Sequence, residues 1–146
     1  MTAEPILKVE GLKKYFPLEK GFLRRVVGQV KAVDDVSLRI GAGETLGLVG
    51  ESGSGKTTVG RCILRALEPT AGSIQFQIDD DLTVDMARID RRELRALRRY
   101  ANMIFQDPLY SLDPRWTILD IVGEPLKLAK LAAGAELEER VAHLME

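Results

Sequence analysis

An α/β domain is predicted by this sequence, opening with an antiparallel β segment and closing with a helical one. Three observations predict it. Apolar residues alternate with polar ones in the first half; an almost wholly apolar run leads straight into a glycine-rich turn followed by a helical period; and two helix-start signals stand in the second half. The length of 146 residues and a hydrophobic content of 45% suit one modest domain with a real core.

The β segment is read from "VSLRI", which puts Val36, Leu38 and Ile40 on one face, and from "SIQFQI", which does so with Ile74, Phe76 and Ile78. Between them "TLGLVG" suits a strand covered on both faces. From Lys56 the period changes: Val59, Cys62, Ile63, Ala66 and Leu67 define an amphipathic helix that "EPTAG" ends. Farther on, Asp90 caps "RRELRALRRY" with Glu93 in the capping-box place, and "ANMIF" reads as a short buried strand. The prolines of "QDPLYSLDPR" argue for a loop, after which Thr117 and Asp120 have the spacing of another helix start. Leu137, Val141 and Leu144 mark the last helix.

Charge and composition exclude several classes. Twenty-one basic side chains against 22 acidic ones leave a net charge of -1, without the positive field that nucleic-acid binding requires. The one cysteine, Cys62, excludes an internal disulfide and fits a reducing compartment. No apolar run approaches the ~18 residues that span a bilayer, and the first residues carry no secretory signal. A cytoplasmic chain is expected, reaching a membrane only through a partner and not by insertion.

The chemistry is concentrated in residues 50–58, "GESGSGKTT", which match G-x-x-x-x-G-K-[ST] between an apolar run and an amphipathic helix. Phosphate must lie against main chain there, with no Cβ in the way and backbone N–H groups converging on it. Lys56 supplies a point charge to the β/γ-phosphates, Thr57 a hydroxyl for Mg²⁺, and the helix its positive end. Gly50, Glu51, Ser52, Gly53, Ser54, Gly55 and Thr58 complete the cradle. An ATPase, a small-molecule kinase and a GTPase switch all remain open on this motif alone.

Four stretches in order, "KKYFP", "VKAVDDVSLRIGAGETLGLVGESGSGKTT", "GRCILRALEPTAGSI" and "MIFQDPLYSLDPRWTILDIVGEPL", cover nearly the whole chain. Together they resemble the ATP-binding subunits of ATP-binding-cassette importers, in the oligopeptide/dipeptide group. "FQDPLYSLDPR" is the most discriminating of them. The resemblance implies a P-loop nucleoside triphosphate hydrolase core, with residues 1–105 forming the β subdomain and core and 106–146 the glutamine loop and the start of a helical subdomain. It implies that Gln106 contacts Mg²⁺ and the attacking water, a role for which a neutral amide is chemically suited. It also implies that Phe16, or Tyr15 on a one-residue slip, stacks on the adenine of ATP.

Partners follow from the same resemblance: transmembrane permease subunits, whose cytoplasmic helix would dock against Tyr110, Leu112, Pro114 and Trp116, and a second ATP-binding subunit in a head-to-tail dimer. A peripheral position on the inner face of the cell membrane goes with them. Such subunits continue with a Leu-Ser-Gly-Gly-Gln signature, an apolar strand ending in aspartate, a catalytic glutamate and a switch histidine, none of which is in these 146 residues. The expectation is therefore a partial cassette, marginally stable alone, that binds ATP and Mg²⁺ without turnover and has no catalytic residue of its own. His143 is read as a surface residue, the Asp79–Asp81 triplet as a solvated turn, and the arginines from Arg88 to Arg99 as a solvated helix face. The rival readings are a P-loop phosphotransferase and a non-catalytic or inert transporter fragment. Peptide, nickel and other small solutes all remain open as cargo.

Overall fold

A computed structural model describes residues 4–21, 25–106 and 112–146. The chain divides into two compact units, Met1–Met103 and Ile104–Glu146. The first is built on a four-stranded antiparallel sheet in the order β2-β1-β3-β4, with β1 spanning Leu7–Lys20, β2 Arg25–Ile40, β3 Ala71–Gln77 and β4 Thr83–Asp85. Against it lie helix α1, Lys56–Ile63, and helix α2, Arg91–Leu97.

The alternation read in "VSLRI" and "SIQFQI" accounts for the end of β2 and most of β3, while the central strand β1 and the short β4 emerge only in the structure. Val9 pairs with both Leu38 and Ile74, and Leu7 with Ile40 and Phe76, so one face of three strands collects apolar side chains. Leu7, Val9, Leu12, Val33 and Ile74 are buried there with Val59 and Cys62 of α1, Met86, and Leu94 of α2. Cys62 is free and buried, and burial pushes its thiol pKa up, which keeps it an inert neutral group. Beyond Lys13, β1 no longer pairs with β3, and β1 and β2 continue as a two-stranded ribbon.

The β3–β4 turn needs no glycine because Asp79 supplies the closure: its Oδ1 accepts from the Asp81 amide at 3.1 Å while the Ile78 amide donates to the Leu82 carbonyl at 2.8 Å. Among the described residues no group of three potential ligands could hold a metal, and the acidic triplet is a turn.

Three expectations are corrected. Neither "TLGLVG" nor "ANMIF" forms a strand: no described residue pairs with them, and Val49 is 96% and Ile104 92% exposed. An apolar run records a demand for burial but names no partner, and both edges of β1 are already occupied by β2 and β3. Helix α1 also stops earlier than its apolar period suggests. Arg65 turns to φ 53 and the amides of Ala66 and Leu67 both donate to the Arg61 carbonyl, at 2.8 and 3.0 Å, which closes the helix and leaves Ala66 exposed.

The second unit contains α3, Ile118–Leu128, and α4, Ala135–Met145. Thr117 caps α3, its hydroxyl oxygen accepting from the Asp120 amide at 3.1 Å. Ala132, Leu137 and Val141 form a small core with Leu119, Val122 and Leu126. Leu144, expected on the same face, is exposed, as is His143.

Candidate functional site

The glycine-rich turn joins the unpaired run after Thr45 to the first turn of α1. The Ser54 amide donates to the Glu51 carbonyl at 3.2 Å, and Gly53 and Gly55 take φ values of 82° and 94° that side chains resist. Gly55 is the N-cap of α1, without any side-chain cap, and no acidic residue stands in the first turn. The positive end of the helix and its free amides are thus left unneutralised, the arrangement that favours an anion.

Space presses on two of the glycines, and at Gly55 the backbone angle does so as well. A Cβ at Gly50 would come within 2.9 Å of Ser54 Oγ, and one at Gly55 within 2.3 Å of the Ala32 carbonyl oxygen. The loop is therefore seated directly on β2. Lys56 folds back into the turn, its Nζ donating to the carbonyls of Gly50 at 2.7 Å and Glu51 at 2.6 Å and to Ser54 Oγ at 3.2 Å. Thr57 is exposed at the start of the helix, and Thr58 is half-buried. A lysine ammonium within a ring of main chain, beside free helix amides and an unengaged hydroxyl, fits the phosphates and the divalent ion of a bound nucleotide.

The aromatic pair on β1 is divided by the sheet. Phe16 pairs with Val30 and Tyr15 with Lys31, so the two rings lie on opposite faces, and Val30 is two residues from the Ala32 carbonyl that supports Gly55. The Tyr15 hydroxyl donates to Asp34 Oδ1, and Lys31 Nζ reaches both Asp34 Oδ2, at 3.1 Å, and the Tyr15 ring, 5.3 Å from its centroid. This cluster lowers the Asp34 carboxyl pKa, chiefly through the Tyr15 hydroxyl, and raises that of Tyr15. Phe16 has no such engagement beyond Lys14, whose Nζ stands 4.9 Å from the ring centroid and donates to the Glu68 carbonyl at 2.8 Å. Lys14 escaped the sequence reading, since only the β1 pairing turns it toward that ring.

In the second unit Gln106 is exposed at a bend. Leu112, Pro114 and Trp116 are exposed as well, and Trp116 lines a cleft of about 370 Å³ with Asp120 and Lys127. Tyr110 lies outside the described residues. No helix among the described residues is long and apolar enough to cross a membrane.

The profile of the family described as "ABC transporter" matches residues 33–146, from the β2 wall of the loop to the end of α4. The chain belongs to this family. Among curated members of the ABC transporter family, it is 43% identical over 149 residues to the oligopeptide transport ATP-binding protein AppF of Bacillus subtilis, covering 99% of this chain and 44% of AppF. To the glutathione import ATP-binding protein GsiA of Escherichia coli K12 it is 48% identical over 146 residues, all of this chain and 23% of GsiA. The chain therefore spans less than half the length of the curated relatives it matches. The dimeric ATP-binding cassette MJ0796, in a post-hydrolysis state bound to ADP and Pi, superposes with a TM-score of 0.68 at 27% identity, covering 94% of this chain and 54% of that one. This fold is thus that of an ABC cassette in part: an antiparallel sheet with the phosphate loop and helices, in an α/β architecture.

Proposed function

We propose that this chain is the nucleotide-holding part of an ABC importer's ATP-binding subunit and takes up ATP with Mg²⁺ at residues 50–58. The observation that carries the proposal is the Lys56 ammonium drawn onto the Gly50 and Glu51 carbonyls at the uncapped start of α1. Bound phosphate oxygens would take the lysine's hydrogen bonds in place of those carbonyls, leaving the loop amides and the helix end to share the negative charge. Thr57 and Gln106 are the residues proposed to hold Mg²⁺, which would supply charge neutralisation for the bound phosphates.

Adenine recognition is assigned to Phe16. Tyr15 has its hydroxyl committed to Asp34 and its ring beside Lys31, whereas Phe16 shares a face with Val30, close to the strand position that supports the loop. Stacking on a ring that already carries a cation on one side needs only the other face.

Coupling is proposed to peptide-class import, through permease subunits at the surface around Leu112 and Trp116 and through a second ATP-binding subunit arranged head to tail. The subunit would then be peripheral to the inner face of the membrane. The AppF and GsiA relatives support the peptide class, glutathione being itself a peptide, and the MJ0796 dimer supports the pairing. These 146 residues are proposed to bind without turnover, because hydrolysis asks for a carboxylate placed to orient water and for an opposed signature loop, and the sequence contains no Leu-Ser-Gly-Gly-Gln string.

Calorimetric titration of the chain with ATP and Mg²⁺ tests the reading. Saturable uptake that Lys56→Ala weakens by about tenfold or more, with no phosphate release, is the expected result. Absence of uptake by the folded chain would overturn the assignment, and phosphate release that Lys56→Ala abolishes would overturn the claim of binding without turnover.

A further inference from the structure

The end of α1 and the whole of α2 enclose a second polar cleft, of about 560 Å³, lined by Arg65, Arg91, Arg95 and Arg98 together with Glu68 and Asp90. Arg91, Arg95 and Arg98 are spaced to share one helix face, where like charges repel. Among the described residues none of the three side chains has an ion pair or hydrogen bond within the chain. Neither lining acid is in an ion pair with them: Asp90 accepts from the amides of Arg92 and Glu93 through Oδ1, at 2.7 and 2.8 Å, and Glu68 is a mostly exposed partner of Arg65 at 3.4 Å.

Arg65 is the unusual member. Its side chain is only 9% exposed, with one guanidinium nitrogen donating to the Ile89 carbonyl at 3.4 Å, while its Nε is buried without any partner. A buried donor left unmatched is costly, because it gives up its hydrogen bond to water and gains none in return. The residue also occupies the left-handed position that closes α1, at φ 53, where glycine would be cheapest. Two separate costs therefore fall on one residue, and what they secure is a guanidinium in the wall of the cleft opposite three unpaired ones.

We propose that this cleft is a binding site for a small phosphate-bearing anion, of the diphosphate class, distinct from the loop at residues 50–58. Guanidinium forks match phosphate oxygens in pairs, and arginines in both walls of one cleft suit a group whose oxygens point in more than two directions. A carboxylate offers two oxygens in one plane, and a peptide bearing it would have to carry its backbone toward a guanidinium that is nine-tenths buried. The volume admits more than one phosphate group.

The test uses inorganic pyrophosphate and the full 146-residue chain carrying Lys56→Ala, which suppresses uptake by the glycine-rich loop and makes the result independent of the ATP proposal. Saturable calorimetric binding is expected. Arg65→Gly, which relieves the backbone and should still fold, and Arg95→Gln should each weaken it about tenfold or more. Arg92→Gln, the same loss of charge outside the cleft lining, should change it by less than about twofold. Binding equally sensitive to Arg92→Gln and Arg95→Gln would reduce the site to general attraction and overturn the proposal. So would binding seen only when Lys56 is intact, or a glutamate-rich peptide that binds where pyrophosphate does not.

Discussion

Gly55 approaches Ala32 so closely that a Cβ on it would lie 2.3 Å from the Ala32 carbonyl oxygen. The contact places the phosphate loop on β2 and ties its position to the sheet. Gly55→Ala would meet both this carbonyl and a φ of 94°, and is expected to cost on the order of 2–4 kcal/mol and to displace the loop. Gly53→Ala, at φ 82 with nothing within 4 Å of the added carbon, should cost only about 1 kcal/mol. Urea unfolding of the two variants, compared at equal ATP concentration, checks the difference.

Removing the lysine ammonium should weaken ATP binding in Lys56→Ala by about 10- to 100-fold, the range for a charge-assisted contact. Equal affinity in the variant and the parent chain, measured by calorimetry, would contradict this.

Phe16→Ala is expected to lower affinity for ATP by about three- to tenfold while leaving inorganic triphosphate unaffected, because only the base meets the ring. Tyr15→Phe removes the hydroxyl that reaches Asp34 and should lower thermal stability while preserving the preference for ATP over triphosphate. If the preference followed Tyr15 instead, the base would lie on the opposite face of the sheet.

Acid should unfold the chain partly through Asp34 and Asp120. The Tyr15 hydroxyl and Lys31 hold the Asp34 pKa below 3.8, and the Thr117 hydroxyl and Lys127 do the same for Asp120. Both groups bind protons more readily when unfolded. Their stabilisation is therefore complete above about pH 5 and is lost as pH falls through the lowered folded values. Asp120→Asn should flatten the fall in melting temperature on the acid side, and an unchanged slope would contradict the assignment.

Helix α2 starts at a full capping box, with Asp90 accepting from the Arg92 and Glu93 amides and Glu93 returning a bond to the Asp90 amide at 3.1 Å. Asp90→Ala should cost about 1 kcal/mol in a denaturant melt.

Much of this site was legible in the sequence because its parts are local. The turn at residues 50–58, the box at Asp90 and the cap at Thr117 each depend on groups a few residues apart, so spacing alone specifies them. Alternation likewise announced the strands through Val36 and Ile74, since a period of two shows which face must be covered. The same reasoning overreached at "TLGLVG", where composition expressed a demand for burial that no described strand meets.

The tertiary structure alone decided the rest. Pairing of β1 with β2 put Phe16 and Tyr15 on different faces and brought Lys31 and Asp34 to only one of them. Closure of α1 at Arg65 turned what reads as a solvated arginine face on α2 into one wall of a cleft. Caps and turns are satisfied within a few bonds of chain and so are written in residue order. Which ring is left open, or which charges face one another, depends on segments tens of residues apart, and only their pairing in space determines it.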